Sequence, residues 1–148
     1  MDAKSFLRQI RRIDILLNAK QKELEVLRCK ALYPGISYEE KVQSSFGNSK
    51  ENQLINLIEY EIELNKSIDE FIGIKKEVSS VIDKLEDGDQ IDILYKRYFQ
   101  YMTWEEIATS KSYTYQWIHK IHAKALIEVQ NILDKGQKLK QLIKVDRN

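Results

Sequence analysis

Apolar residues recur at three- and four-residue steps through most of this chain, and a single proline, Pro34, interrupts them. From Ala3 to Ala31 the steps run through Phe6, Ile10, Ile13, Leu17, Leu24, Leu27 and Ala31, with Lys20 as the polar exception. Such spacing keeps one stripe of a helix apolar, while Arg8, Arg11, Arg12, Lys22, Glu23 and Glu25 take the remaining faces. It predicts a long amphipathic helix with coiled-coil character. Tyr33-Pro34-Gly35 ends that helix, because proline removes an amide donor and blocks the preceding carbonyl. A polar loop runs to about Ser49, with Val42 and Phe46 expected to pack back on the helices. A second long helix is predicted over residues 50–85, its seam formed by Leu54, Leu57, Leu64, Ile68, Phe71, Val78, Ile82 and Leu85. Ile55, Ile58, Ile62 and Ile72 widen its apolar surface beyond what one antiparallel neighbour covers. The expectation is an all-α protein with a long antiparallel helical hairpin over residues 1–86 that dimerises or meets a partner.

Glu86-Asp87-Gly88-Asp89 reads as a turn and a domain boundary, with Gly88 free to take positive φ and Asp89 placed to cap the next helix. That helix, about residues 90–101, presents Ile91, Leu94, Tyr95, Tyr98 and Phe99. Thr103 followed by Glu106 is a capping-box pattern, and Ile107 and Ala108 give the short helix behind it a small apolar face. Residues 109–113 are a polar break, after which Thr114 is a natural N-cap. Beyond it Ile118, Ile121, Ala125 and Val129 form one buried stripe, leaving Tyr115, Gln116, His119 and Lys120 facing outward. Two short helices around a tight break, the second with a polar outer face, make a helix-turn-helix over residues 90–135. Residues 136–148 carry Leu139, Leu142 and Ile143 among lysines and read as a helical or frayed tail.

Thr114, the pair Ile118 and Ile121, and the run Ala123-Lys124-Ala125-Leu126 resemble region 4 of the bacterial primary sigma factors. The match covers roughly residues 90–133 and also suits the sigma-region-4-like transcriptional regulators of Gram-positive bacteriophages, of the RinA and ArpU type. The resemblance implies a regulator that reads the major groove of double-stranded DNA with helix 114–133. It implies Tyr115, Gln116, His119 and Lys120 as base-contacting residues, and Thr114 and Lys124 on phosphate. Thr103, Lys111 and Arg97 join them as candidate backbone contacts. Where the family carries arginines this chain has Tyr115, Trp117 and His119, and Gln116 replaces a glutamate, which argues for a different target sequence. Gln116 suits adenine, Lys120 guanine, and Tyr115 a thymine methyl. No counterpart of sigma region 2 is visible. Two alternatives share the pattern: a DNA-packaging module like a phage terminase small subunit, and a helix-turn-helix protein that grips RNA polymerase rather than DNA.

Charge follows the same division. Residues 1–89 hold 14 Lys/Arg against 17 Asp/Glu, and residues 90–148 hold 10 against 6, within a net charge of +1. The basic excess therefore lies with the helix-turn-helix. The run Lys135, Lys138, Lys140 and Lys144 reads as a solvated helix face, with a nonspecific DNA arm as the alternative. No apolar stretch is long enough to span a bilayer and no signal peptide is apparent, so the expected setting is cytoplasmic and free of the membrane. Cys29 is the lone cysteine, so no internal disulfide forms. With two histidines and one cysteine the chain lacks four nitrogen or sulfur ligands for structural zinc. There is no glycine-rich phosphate loop and no nucleophile with a base beside it; neither catalysis, a metal nor a cofactor is expected. His122 is expected to be partly exposed, Trp104 to pack under the first helix of the pair, and Trp117 to pack on Tyr98 or Tyr101, with stacking on a DNA sugar as the alternative.

Overall fold

The structure, a computed structural model, describes residues 1–32 and 48–146, with side-chain surroundings for residues 1–30 and 51–146. The loop expected around Pro34, with Val42 and Phe46, lies outside the described residues. The protein is all-α, and no strand occurs among the described residues. Its elements are α1 (Ala3–Leu32), α2 (Asn48–Asp83), α3 (Gly88–Leu94), a π-helical turn (Tyr95–Phe99), α4 (Trp104–Lys111) and α5 (Tyr115–Val145). They form two compact units: residues 1–13 with 74–148, and residues 14–73.

In the larger unit the first turns of α1 bury Phe6, Leu7 and Ile10 against Val78, Val81, Ile82 and Leu85 of α2, Leu94 and Tyr98, and Ala125 and Val129 of α5. The division between units therefore does not follow the Glu86–Asp89 turn, because residues 1–13 and the end of α2 share a core with Leu94 and Tyr98 and with α5 after that turn. Gln130 Oε1 accepts the Ala3 amide at 2.7 Å, so α5 caps a donor that the start of α1 leaves without a helical partner. Asp2 takes the Ser5 amide at 3.0 Å in the same way. The turn after α2 differs from the expectation: Asp87, not Asp89, is the N-cap of α3, accepting the Asp89 amide. Gly88 opens α3 and does not adopt positive φ. The helix expected over 90–101 gives way at Tyr95 to the π-turn, whose wide register carries the Gln100 amide to the Tyr95 carbonyl at 3.0 Å. Tyr101 behind it takes φ +57°, a left-handed conformation costly for a residue with Cβ. No separate tail follows Gly136, since α5 runs unbroken to Val145.

Within the smaller unit, Leu24 and Leu64 are buried, Arg28 donates two hydrogen bonds to Glu61 Oε1 at 3.1 and 2.8 Å, and the Tyr60 hydroxyl donates to Glu23. Leu54, expected in the seam of α2, is instead exposed beside Ile55, Ile58 and Ile62. These four form an exposed apolar face among the described residues of the unit.

Candidate functional site

Residues 103–124 begin with a helix start fixed locally. The Thr103 hydroxyl accepts the Glu106 amide at 3.2 Å and the Glu106 carboxylate accepts the Thr103 amide at 2.9 Å, closing both halves of the capping box. Ile107 and Ala108 of α4 pack with Ile93 of α3 and with Ile118 and Ile121 of α5. Helix α4 ends at Ser112, whose φ of 55° and ψ of 35° reverse the chain while its amide reaches back to the last carbonyls. Two residues later Thr114 accepts the Trp117 amide at 3.2 Å and α5 begins. The four stripe residues expected inside, Ile118, Ile121, Ala125 and Val129, are buried.

An acid–base cluster holds the turn on α3. Lys111 Nζ lies 2.7 Å from Asp92 and 3.0 Å from Asp89, Lys96 Nζ donates to Asp92 at 2.9 Å, and the Tyr113 hydroxyl donates to Asp89 at 2.9 Å. The Lys111 hydrogen bond, with help from Tyr113, holds the Asp89 carboxyl below its ordinary value. Burial pushes Asp92 the other way, but Lys111 and Lys96 outweigh it and its value is also lowered. Burial likewise works against the Lys111 ammonium, and the two carboxylates reverse the sign and raise it.

The sequence-derived site residues fall into three groups. Tyr115, Gln116, Lys120 and Lys124 are exposed on the first three turns of α5. His119 is half-buried with them, its ring 4.7 Å from that of Trp104 and 4.4 Å from that of Tyr115. Its Nε2 is buried without a hydrogen-bond partner. Thr103 and Thr114 spend their hydroxyls on caps, and Lys111 spends its charge on Asp89 and Asp92. Arg97 donates to the Met102 carbonyl at 3.0 Å and lies 4.6 Å over the Trp104 ring, half-buried.

Two aromatic-face expectations are corrected. Trp117 is 47% exposed and does not enter the core: it lies one residue off the buried stripe and belongs to neither hydrophobic cluster. His122, expected on the rim, is buried, with Nε2 2.9 Å from the Tyr98 hydroxyl and its ring 4.5 Å from that of Trp104. Burial, then the like charges of His119, Lys4 and Arg97, push it down to about 4, so it is a neutral core group near neutral pH.

Sequence reasoning did not bring α1 into this neighbourhood. Lys4, Arg8 and Arg11 border a cavity of about 230 Å³ together with Arg97, Tyr98 and Trp104. Their i, i+4, i+7 spacing was readable as one helix stripe; that the stripe meets α4 was not. Among the described residues no group of three or more His, Cys, Asp or Glu side chains could hold a metal, and no helix is long and apolar enough to cross a membrane. Comparison with family models, characterised proteins and solved structures gives no match.

Proposed function

We propose that this chain is a sequence-specific double-stranded DNA-binding transcriptional regulator, in which α4, the Ser112 turn and α5 act as a helix-turn-helix and α5 reads the major groove. One observation carries the reading. The first three turns of α5 are tied down at Thr114 and along their buried stripe, yet turn Gln116, Lys120 and Lys124 to solvent with no acidic residue before Glu128. A rigid helix whose free side is cationic and amide-bearing suits a groove lined by phosphates and base edges. Gln116 and Lys120 are the base readers, with Tyr115 beside them, and His119 shapes the surface through Trp104 and Tyr115. The resemblance to sigma region 4 and to phage regulators agrees with this assignment. Helices α1 and α2 supply dimerisation through Leu54, Ile55, Ile58 and Ile62, as an antiparallel hairpin with a second copy laid on its exposed face.

The test is a selection: purified protein is incubated with sheared bacterial genomic DNA carrying prophages, and bound fragments are sequenced beside those bound by Gln116→Ala, Lys120→Ala protein. A shared motif recovered by the wild type and lost in the variant is expected. Equal recovery by both would sink the assignment of α5. A second reading, docking on RNA polymerase, draws on one feature: Trp117 and Ile127, 47% and 63% exposed, are apolar groups that a protein partner covers better than DNA does. Retention of polymerase by wild type and its loss with Trp117→Ala would favour it.

A further inference from the structure

The cavity between the start of α1 and the start of α4 has a composition unlike the rest of the surface. Four cations border it, Lys4, Arg8, Arg11 and Arg97, and no carboxylate does. None of the four makes an ion pair with a described carboxylate. Elsewhere in the same unit Lys96 and Lys111 are neutralised by Asp89 and Asp92. The walls are aromatic. Trp104 and Tyr98 line it, Arg97 stacks on Trp104 at 4.6 Å, and Arg11 lies 6.0 Å from the centre of the Tyr101 ring. Guanidinium groups held against rings are oriented before any ligand arrives, and planar donors of this kind match phosphate oxygens.

Two further facts bear on which phosphate it is. Trp104 is shared: it lines the cavity, and its ring also touches His119, which touches Tyr115 at the start of α5. Two side chains, Trp104 and His119, thus link the cavity to Tyr115 on the candidate reading face. Residues 1–13 and 74–148 together hold 17 Lys/Arg against 12 Asp/Glu, whereas residues 14–73 hold 7 against 11. The first turns of α1 supply most of that excess. A duplex carries a charge about every 1.7 Å along its axis, so one seated on α5 has phosphates to offer just beyond Trp104.

We infer that this cavity is a phosphate clamp, in which Lys4, Arg8 and Arg11 of α1, with Arg97, grip the backbone of the duplex whose groove α5 enters. The inference rests on the DNA-binding reading and deepens it, moving part of the interface onto a helix assigned from sequence to dimerisation. The clamp reads no bases; it adds sequence-independent affinity and fixes the angle at which α5 meets the groove.

Fluorescence anisotropy with a labelled mixed-sequence duplex and with a fragment recovered by selection, each over a range of chloride concentrations, tests it. Arg8 and Arg11 are exposed, so R8Q/R11Q keeps the fold, which circular dichroism checks; K4Q, also exposed, is the second variant. The expected result is weaker binding to both duplexes by the same factor, with the slope of log affinity against log salt reduced by about 1 for each contact removed. Wild-type affinity and slope in both variants, with Q116A/K120A still losing the selected fragment, would overturn the clamp and leave the α5 reading intact. No duplex binding by the wild type would overturn both. Saturable quenching of tryptophan fluorescence by inorganic phosphate or a nucleoside triphosphate, with duplex affinity untouched in R8Q/R11Q, would assign the cavity to a small ligand instead.

Discussion

His122 makes the folding of the larger unit sensitive to mild acid, by an amount that can be worked out. In the unfolded chain its imidazole titrates near 6.5; in the fold, burial and the charges of His119, Lys4 and Arg97 bring it down to about 4. Between those values the unfolded chain binds a proton that the native one refuses, so stability rises with pH across the window and is fully present above it. At about 1.36 kcal/mol per pKa unit, going from about pH 7.5 to about pH 5 removes roughly 2 kcal/mol. His122→Gln keeps a polar partner for the Tyr98 hydroxyl but does not titrate. Urea unfolding of both proteins at the two pH values isolates the effect, since changes in carboxylate ionisation cancel between them. The wild-type midpoint should fall by about 1 M more than that of the variant, taking a slope of about 2 kcal/mol/M. Equal falls in both, or an NMR titration placing His122 near 6.5, would refute the reasoning.

Other expectations are shorter. Lys111→Met leaves Asp89 and Asp92 facing each other with Lys96 alone, and should destabilise the protein at neutral pH. Both carboxyls sit below their ordinary 3.8, so the cluster's stabilisation is present above that value and lost as pH falls through and below it. The gap between wild type and K111M in thermal melts should therefore close on acidification. Ser112→Gly relieves a left-handed residue and should add about 1 kcal/mol in chemical denaturation. Gly136→Ala meets no atom within 4 Å inside α5 and should add about 0.5–1 kcal/mol by the same assay. Ile58→Glu with Ile62→Glu should turn a dimer into a monomer in sedimentation velocity; a wild type already monomeric would remove the dimerisation proposal.

What could be read from sequence was local. Thr103 with Glu106, and Thr114, cap their helices through contacts three residues away, which spacing alone specifies. The Ile118–Val129 stripe was readable because a buried helix face repeats with the helical period. Trp117 and His122 lie at the edges of that stripe, where burial depends on what packs there; Tyr98 and Trp104 cover His122, and nothing comparable among the described residues covers Trp117. Leu54 shows the same limit in α2: a heptad names a face without naming its cover. Asp89, read as the cap of α3, is instead held by Lys111 and Tyr113, and Asp87 takes the capping role. The π-turn left no sequence mark, since each of its residues also suits an ordinary helix. On the cavity, the stripe of cations on α1 was in plain view, but its partners come some ninety residues later in the chain.

The sharing of one core by residues 1–13 and α5 has a consequence for how the protein is made. Phe6, Leu7 and Ile10 leave the ribosome more than a hundred residues before Ala125 and Val129, which help to cover them. Closing so long a loop costs only slightly more free energy than closing a short one, but contacts of such separation form late. Until α5 is made, the first turns of α1 lack part of their cover, and their apolar and basic side chains are open to chaperones and to polyanions alike. The unit becomes cooperative only when α5 arrives, and removing a few residues from the start of α1 would injure the packing of α5.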